Sequence, residues 1–207
     1  YYPITWLSHM ADVEMHGLNP AGHYLTNVLM HSFNVLLLFL LLIRITRETF
    51  LSFVFAALFA LHPLHVESVA WIAERKNILS VFFLLPAIWA YYNSRKKGGI
   101  HTFLMYFFFV LGLLSKPSIV MFPILLLFLD FWPFKFESFS GNGSVPGILW
   151  RFLKEKAFLL ALSLASGIIT IITQRQLKTA ILSQDFIPFR HRIAGAFLGY
   201  GFYLAKQ

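Results

Sequence analysis

Residues 24–43 form a mostly apolar run of about twenty residues, the length that crosses a hydrocarbon core at about 1.5 Å per helical residue, and no other feature of the sequence limits the fold so strongly. Inside lipid every backbone N–H and C=O must be bonded within the segment, which makes the run a helix. It carries Asn27, His31 and Asn34, spaced i, i+4 and i+7, so one stripe of that helix is polar and turns toward other helices rather than lipid. Further apolar runs occupy residues 50–61, 78–92, 103–114, 119–134 and 158–173, and another starts at residue 193. The expectation is an all-α, polytopic transmembrane bundle with about six or seven spans in this stretch. A composition 58% hydrophobic and 13% charged, with mean hydropathy +0.69, excludes an ordinary soluble domain. The absence of Cys excludes disulfides, thiol catalysis and thiolate metal sites.

The polar connections divide the chain. Residues 1–23 read as a structured external loop, 24–134 as a first group of spans, 135–156 as a cytoplasmic connection and 157–207 as further spans. The turn 115–118 sits between two runs that make either two spans or one re-entrant hairpin, and two spans are favoured. Alternating segments give one side Arg44, Arg47, Arg95, Lys96, Lys97, Lys135, Arg151, Lys154 and Lys156, which makes that side cytoplasmic. The opposite side still receives Arg75, Lys76, Lys116, Arg175, Lys178, Arg190 and Arg192, together with all the His except His31 and His101. Basic residues on the side that should be poor in them point to an anionic ligand held there.

Polar chemistry gathers at residues 62–77, where His62, His65, Glu67, Glu74, Arg75 and Lys76 fall between two apolar segments. Pro63 suits the first position of a helix, where its missing N–H has no partner to lose. A helix continued from Pro63 would bring Glu67 and Glu74 nearly into register on one face, an amphipathic helix at the membrane surface. The plain alternative is a solvated helix end where a membrane segment emerges.

Five local patterns resemble the transmembrane-and-tetratricopeptide-repeat family of O-mannosyltransferases. They are Tyr2-Pro3-Ile4-Thr5-Trp6; the run from Gly17-Leu18-Asn19-Pro20 to His31; His62-Pro63-Leu64-His65-Val66-Glu67 with Glu74-Arg75-Lys76-Asn77; Leu114-Ser115-Lys116-Pro117; and Leu129-Asp130-Phe131-Trp132-Pro133. They occur in the family's order and cover nearly the whole chain. The resemblance implies a GT-C type glycosyltransferase. It would move a mannose-like sugar from a polyprenyl-phosphate donor to a protein hydroxyl on the luminal or periplasmic face. It also implies a bacterial inner membrane or endoplasmic reticulum location, and no nucleic-acid partner. In that family the main catalytic acid pair precedes the Tyr-Pro motif and the tetratricopeptide repeats follow the membrane domain. Both are expected outside this sequence, so the stretch alone is expected to be inactive.

Such transfer needs a base for the acceptor hydroxyl and positive charge for the departing phosphate. Glu67 is the candidate second acidic residue, orienting the acceptor or sharing a divalent ion, Mg or Mn, with the acid pair. Arg75, Lys116 and Arg175, each at the outer end of an apolar segment, are the candidates for the donor phosphate; singly, such residues are more often snorkelling anchors. His62, His65, Glu74 and Lys76 are candidate substrate-binding residues. Zinc is not favoured, because His62-x-x-His65-x-Glu67 differs from the His-Glu-x-x-His pattern of zinc proteases. The rival is a polytopic transporter or channel for an anionic or lipid-linked substrate, which should carry charges at mid-membrane rather than at segment ends.

Overall fold

The computed structural model describes residues 2–131 and 145–176, with isolated helical positions at 191, 194, 195, 198, 199 and 202. The chain divides into two compact units, Tyr1–Gly167 and Ile168–Gln207. The second holds the last turns of a long helix and the isolated positions. All described elements are helical.

Local chemistry sets the helix boundaries. Helix α1, Pro3–His16, has Pro in its first turn and stops at Gly17, whose φ of 61° suits a residue without Cβ and whose N–H reaches the Val13 carbonyl at 2.8 Å. Asn19 caps α2, Pro20–Thr46, by accepting from the Ala21 N–H at 3.1 Å. The turn between them is tight: a Cβ on Gly22 would lie 2.4 Å from the His16 side chain. Helix α3, Thr49–Leu61, ends at His62, which also caps α4, Pro63–Ala70, as its Nδ1 accepts from the Leu64 N–H at 3.2 Å. The two helices meet at a bend of 54°. Helix α5, Arg75–Lys97, turns back at Gly98 and Gly99 into α6, Ile100–Ser115. A 3-10 turn, Pro117–Met121, leads to α7, Phe122–Phe131, and α8 spans Val145–Gln176.

Met105, Phe109 and Leu113 repeat every four residues along α6 and close on Leu85, Ile88 and Tyr91 of α5, with Phe122 and Leu126 of α7 completing the core. Phe109 stacks on Phe122 at 5.1 Å. The polar stripe of α2 packs inward: Asn27 donates to the Val69 carbonyl at 3.2 Å and Asn34 to the Ile78 carbonyl at 2.9 Å. Outward, Phe50, Phe53, Phe55 and Leu58 of α3 are exposed, as a lipid-facing surface requires.

Four expectations change. Two described helices, Pro20–Thr46 and Leu153–Thr173, are long and apolar enough to cross a membrane, or three if α3 and α4 form one bent span, so six or seven spans are not supported. Helices α6 and α7 are too short, at 16 and 10 residues, and α5 carries Arg75 and Lys76 at its start, Pro86 and Asn93 within and Arg95 to Lys97 at its end. Residues 3–16, expected in a loop, are helical. The helix begun at Pro63 stops at Ala70 because Trp71 is extended (φ −99°, ψ 110°), so a 3-10 turn, Ile72–Glu74, separates Glu67 from Glu74. Residues 150–156, expected within a connection, lie inside α8. The expected turn 141–144 lies outside the described residues.

Candidate functional site

One end of the first unit collects α1, the start of α2, α4, the 3-10 turn, the start of α5 and the end of α6. Its anchor is Arg75, fully buried, whose guanidinium pairs with Asp12 and donates from Nε to Asn27 Oδ1 (2.7 Å), from Nη2 to the His23 carbonyl (3.0 Å) and from Nη1 to the Ser8 carbonyl (3.3 Å). Asp12 also accepts from Thr26 Oγ1 at 2.9 Å and faces His23 Nδ1 at 3.2 Å. Burial alone would raise the Asp12 pKa, but hydrogen bonds from Arg75 and Thr26 and the guanidinium charge outweigh it and hold it below the usual carboxylate value. His9, on the same helix, is lowered by burial first and then by the Arg75 charge. Thr5 Oγ1 donates to the Ser115 carbonyl at 3.0 Å, tying α1 to the end of α6.

Two cavities flank the first turn of α5. On one side is a cleft of about 610 Å³ lined by Tyr2, Trp6, His9, Tyr24, Trp71 and Lys76, among others. On the other is a polar cavity of about 290 Å³, whose wall includes His31, Asn34, His65, Ser68, Asn77 and Lys116. A continuous polar chain joins them. Lys76 Nζ pairs with Glu74 Oε1 at 2.9 Å; Asn77 Nδ2 donates to Glu74 Oε2 (2.8 Å) and Ser68 Oγ (3.0 Å); and Lys116 Nζ donates to Asn77 Oδ1. Lys116 has no carboxylate partner among the described residues, so its charge is available to an anion in the polar cavity. His65 packs against Phe59 and His31, at 4.4 and 5.6 Å between ring centroids.

Known proteins similar to this chain include protein O-mannosyl-transferases. Mouse protein O-mannosyl-transferase TMTC1 is 29% identical over 158 residues, 70% of this chain and 17% of the mouse protein. Mouse protein O-mannosyl-transferase TMTC3 is 33% identical over 95 residues, 46% of this chain and 10% of that protein. Protein O-mannosyl-transferase F38B6.6 of Caenorhabditis elegans is 27% identical over 134 residues, 63% of this chain and 19% of that protein. The chain is similar in sequence to the TMTC O-mannosyl-transferases over part of their length. It spans less than a fifth of the length of each of these three relatives. No protein-family model matches the chain, and no solved structure matches it. The transporter or channel alternative is not favoured by these relatives.

Of the residues that the TMTC-like motifs single out, the fold brings together His65, Glu74, Lys76 and Lys116 around the two cavities. Glu67 is exposed on α4, lines neither cavity and makes no ion pair among the described residues. His62 is engaged as the α4 cap. Arg75, expected at the donor phosphate, is closed off from both cavities, with all three guanidinium nitrogens donating within the fold. Arg175 falls in the last turn of α8, and its side chain lies outside the described residues, as does most of the connection 174–192. For a divalent metal, no three His, Asp or Glu side chains converge among the described residues, and Glu67 alone does not make a site there. The sequence does not mark Asp12 and His9, which lie on α1 in a stretch that reads as a loop, or Asn77, whose amide links Glu74 to Lys116. The pattern Glu74-Arg75-Lys76-Asn77 contained Asn77, but nothing in the sequence marks it as the junction.

At the opposite end of the first unit, Lys156 of α8 contacts the hydroxyl of Tyr91 and pairs with Asp130 at 3.3 Å, both side chains buried, and Tyr91 donates to Asp130. Arg95 pairs with Glu155 at 2.9 Å. These bonds fasten α8 to α5 and α7.

Proposed function

We propose that this chain is the sugar-transfer part of a membrane glycosyltransferase that moves mannose from a polyprenyl-phosphate donor to a protein hydroxyl on the luminal or periplasmic face. The observation that carries the reading is the run of bonds Lys76–Glu74–Asn77–Lys116, which connects an aromatic cleft with a polar cavity whose Lys116 has no carboxylate partner among the described residues. The names of the relatives supply the sugar and the protein acceptor.

In this scheme Lys116, with His65 beside it, neutralises the phosphate as the bond from the anomeric carbon to the phosphate oxygen breaks and the electron pair leaves on that oxygen. The acceptor segment lies in the aromatic cleft, where Tyr2, Trp6, Tyr24 and Trp71 give apolar faces and Lys76 a polar edge. Glu74 stands between the two and orients the acceptor hydroxyl as its oxygen attacks the anomeric carbon. The hydroxyl proton passes to a carboxylate, for which the resemblance expects the acid pair before Tyr2. The cytoplasmic side is then the end bearing Arg44, Arg47, Arg95, Lys96 and Lys97.

The full-length protein, reconstituted in lipid, is given radiolabelled mannose either on a polyprenyl phosphate or on a nucleotide, together with a Ser/Thr-rich acceptor peptide. Transfer from the lipid-linked donor alone is expected. Transfer from the nucleotide sugar alone, or passage of the lipid-linked sugar across the bilayer without transfer, would contradict the reading.

A further inference from the structure

The polar cavity has a second basic feature besides Lys116. His31 of α2 and His65 of α4 both line it, half-buried, with ring centroids 5.6 Å apart. The Ala60 carbonyl, 3.3 Å from His31 Nε2, only accepts, so that nitrogen carries a proton and the neutral ring presents Nδ1 as a bare acceptor. Nδ1 of His31 and both ring nitrogens of His65 have no hydrogen-bond partner among the described residues, and none of the three is sealed from solvent. The other titratable groups around the pair are held elsewhere. His62, 6.0 Å from His65, gives its Nδ1 lone pair to the Leu64 N–H, so a second proton on that ring would cost the α4 cap. Helix α3 carries no charged residue, and Glu67 of α4 is exposed and outside the cavity wall. On α5, Arg75 is closed off and Lys76 is paired with Glu74. Beyond α6, Lys116 donates to Asn77 Oδ1 and has no carboxylate partner among the described residues.

Two imidazoles this close accept one charge readily and resist a second, because like charges oppose each other. A cavity walled by Lys116 and such a pair therefore presents either one positive charge or two. The donor and the spent carrier differ by the same step: a sugar-bearing phosphate diester has one negative charge, whereas the monoester left after transfer gains a second above about pH 6. We infer that His31 and His65 together take up one proton as the sugar leaves, so that this cavity binds the freed polyprenyl phosphate monoester more tightly than a diester and releases it as the pair loses that proton. The inference rests on the donor-site reading of this cavity, and adds that its two histidines govern release of the spent carrier. Their proton comes from solvent, and the acceptor hydroxyl proton still goes to its carboxylate, so charge and atoms balance.

Binding of a short-chain polyprenyl phosphate and of its methyl ester to the full-length protein in phosphatidylcholine nanodiscs is measured by calorimetry at about pH 7.5, in two buffers of different ionisation enthalpy, which counts the protons taken up. The native protein should bind the monoester about tenfold tighter than the methyl ester, the scale of one added hydrogen bond to a charged group, and take up close to one proton with the monoester alone. In His31→Gln/His65→Gln the uptake is lost and most of the preference with it, while binding of the methyl ester is unchanged. Inorganic phosphate, which shares the charge but lacks the lipid chain, should displace the monoester only at far higher concentration; displacement at equal concentration would make this a site for free phosphate and overturn the assignment to the carrier. The native protein decides the matter even where the double variant does not fold: no uptake with the monoester, or equal uptake with both probes, overturns the inference. Failure of the donor-site reading looks different. Lys116→Gln would then bind both probes as the native protein does, whereas weakened binding in Lys116→Gln with no proton uptake in the native protein overturns the histidine pair alone.

Discussion

Replacing Arg75 by Met separates a structural guanidinium from a ligand-binding one. The side chain is 0% exposed and its partner Asp12 2% exposed, so solvent does not screen the pair, and removing one member leaves a carboxylate buried without its counter-ion. Breaking such a pair costs roughly 3–5 kcal/mol. Asp12 keeps Thr26 at 2.9 Å and His23 at 3.2 Å, which puts the expected loss for Arg75→Met near the lower end, about 3 kcal/mol. Asn27 keeps its bond to the Val69 carbonyl, but the Ser8 and His23 carbonyls lose their donor, so α1 loosens from α2 and α5. The double variant Asp12→Asn with Arg75→Met removes both charges and should cost clearly less than the sum of the single changes. The assay is equilibrium unfolding in mixed detergent micelles with increasing SDS, followed by tryptophan fluorescence, which Trp6 and Trp71 report from the same end. A loss below about 1 kcal/mol for Arg75→Met, combined with weakened binding of polyprenyl phosphate, would refute the structural assignment and return Arg75 to the donor phosphate.

Two further outcomes follow from the same geometry. Because burial and the Arg75 charge lower the folded-state pKa of His9, the fold favours its neutral form; the corresponding stability is complete above about pH 6.5 and is lost as pH falls through the lower folded value. Unfolding midpoints measured between about pH 7 and 5 should therefore drop in the native chain and drop less in His9→Gln, and equal slopes would contradict this. The native chain has no Cys, so single-cysteine variants at Ser68 and Ser94 can be labelled cleanly. Ser68 bonds Asn77 at the start of α5, and Ser94 lies about 26 Å further along that helix. An impermeant thiol reagent should reach the two from opposite sides of the membrane, and labelling from one side would remove the assigned orientation.

The parts of the fold written in short-range chemistry were legible in the sequence. The i, i+4, i+7 spacing of Asn27, His31 and Asn34 marked an inward stripe, and both asparagines bond backbone carbonyls of neighbouring elements. Pro63 marked a helix start. What apolar runs alone did not reveal was where one span ends and a short buried helix begins. Helices α6 and α7 owe their apolar character to packing on α5 and on each other, which composition does not distinguish from contact with lipid. The continuous helix expected through residues 62–77 breaks at Trp71, a residue with no strong breaking tendency, and that break decides which carboxylate bonds Lys76 and Asn77 between the cavities. The Asp12–Arg75 pair joins α1 to α5 across distant stretches of chain, and a basic residue at a segment end looks the same in sequence whether it grips a ligand or a buried aspartate.

The central claim is that the chain Lys76–Glu74–Asn77–Lys116 is the working centre of this end of the molecule. Mannosyl transfer per folded molecule, measured for full-length Lys116→Gln, Glu74→Gln and Glu67→Gln from polyprenyl-phosphate mannose, tests it most directly. Loss of one strong electrostatic contact at the reacting centre costs roughly 3 kcal/mol, about a hundredfold in turnover. Lys116→Gln and Glu74→Gln should each fall by about that factor, with Glu67→Gln falling less than Glu74→Gln. Near-native transfer by both Lys116→Gln and Glu74→Gln, with a hundredfold loss in Glu67→Gln, would contradict the account and move the chemistry to the exposed face of α4.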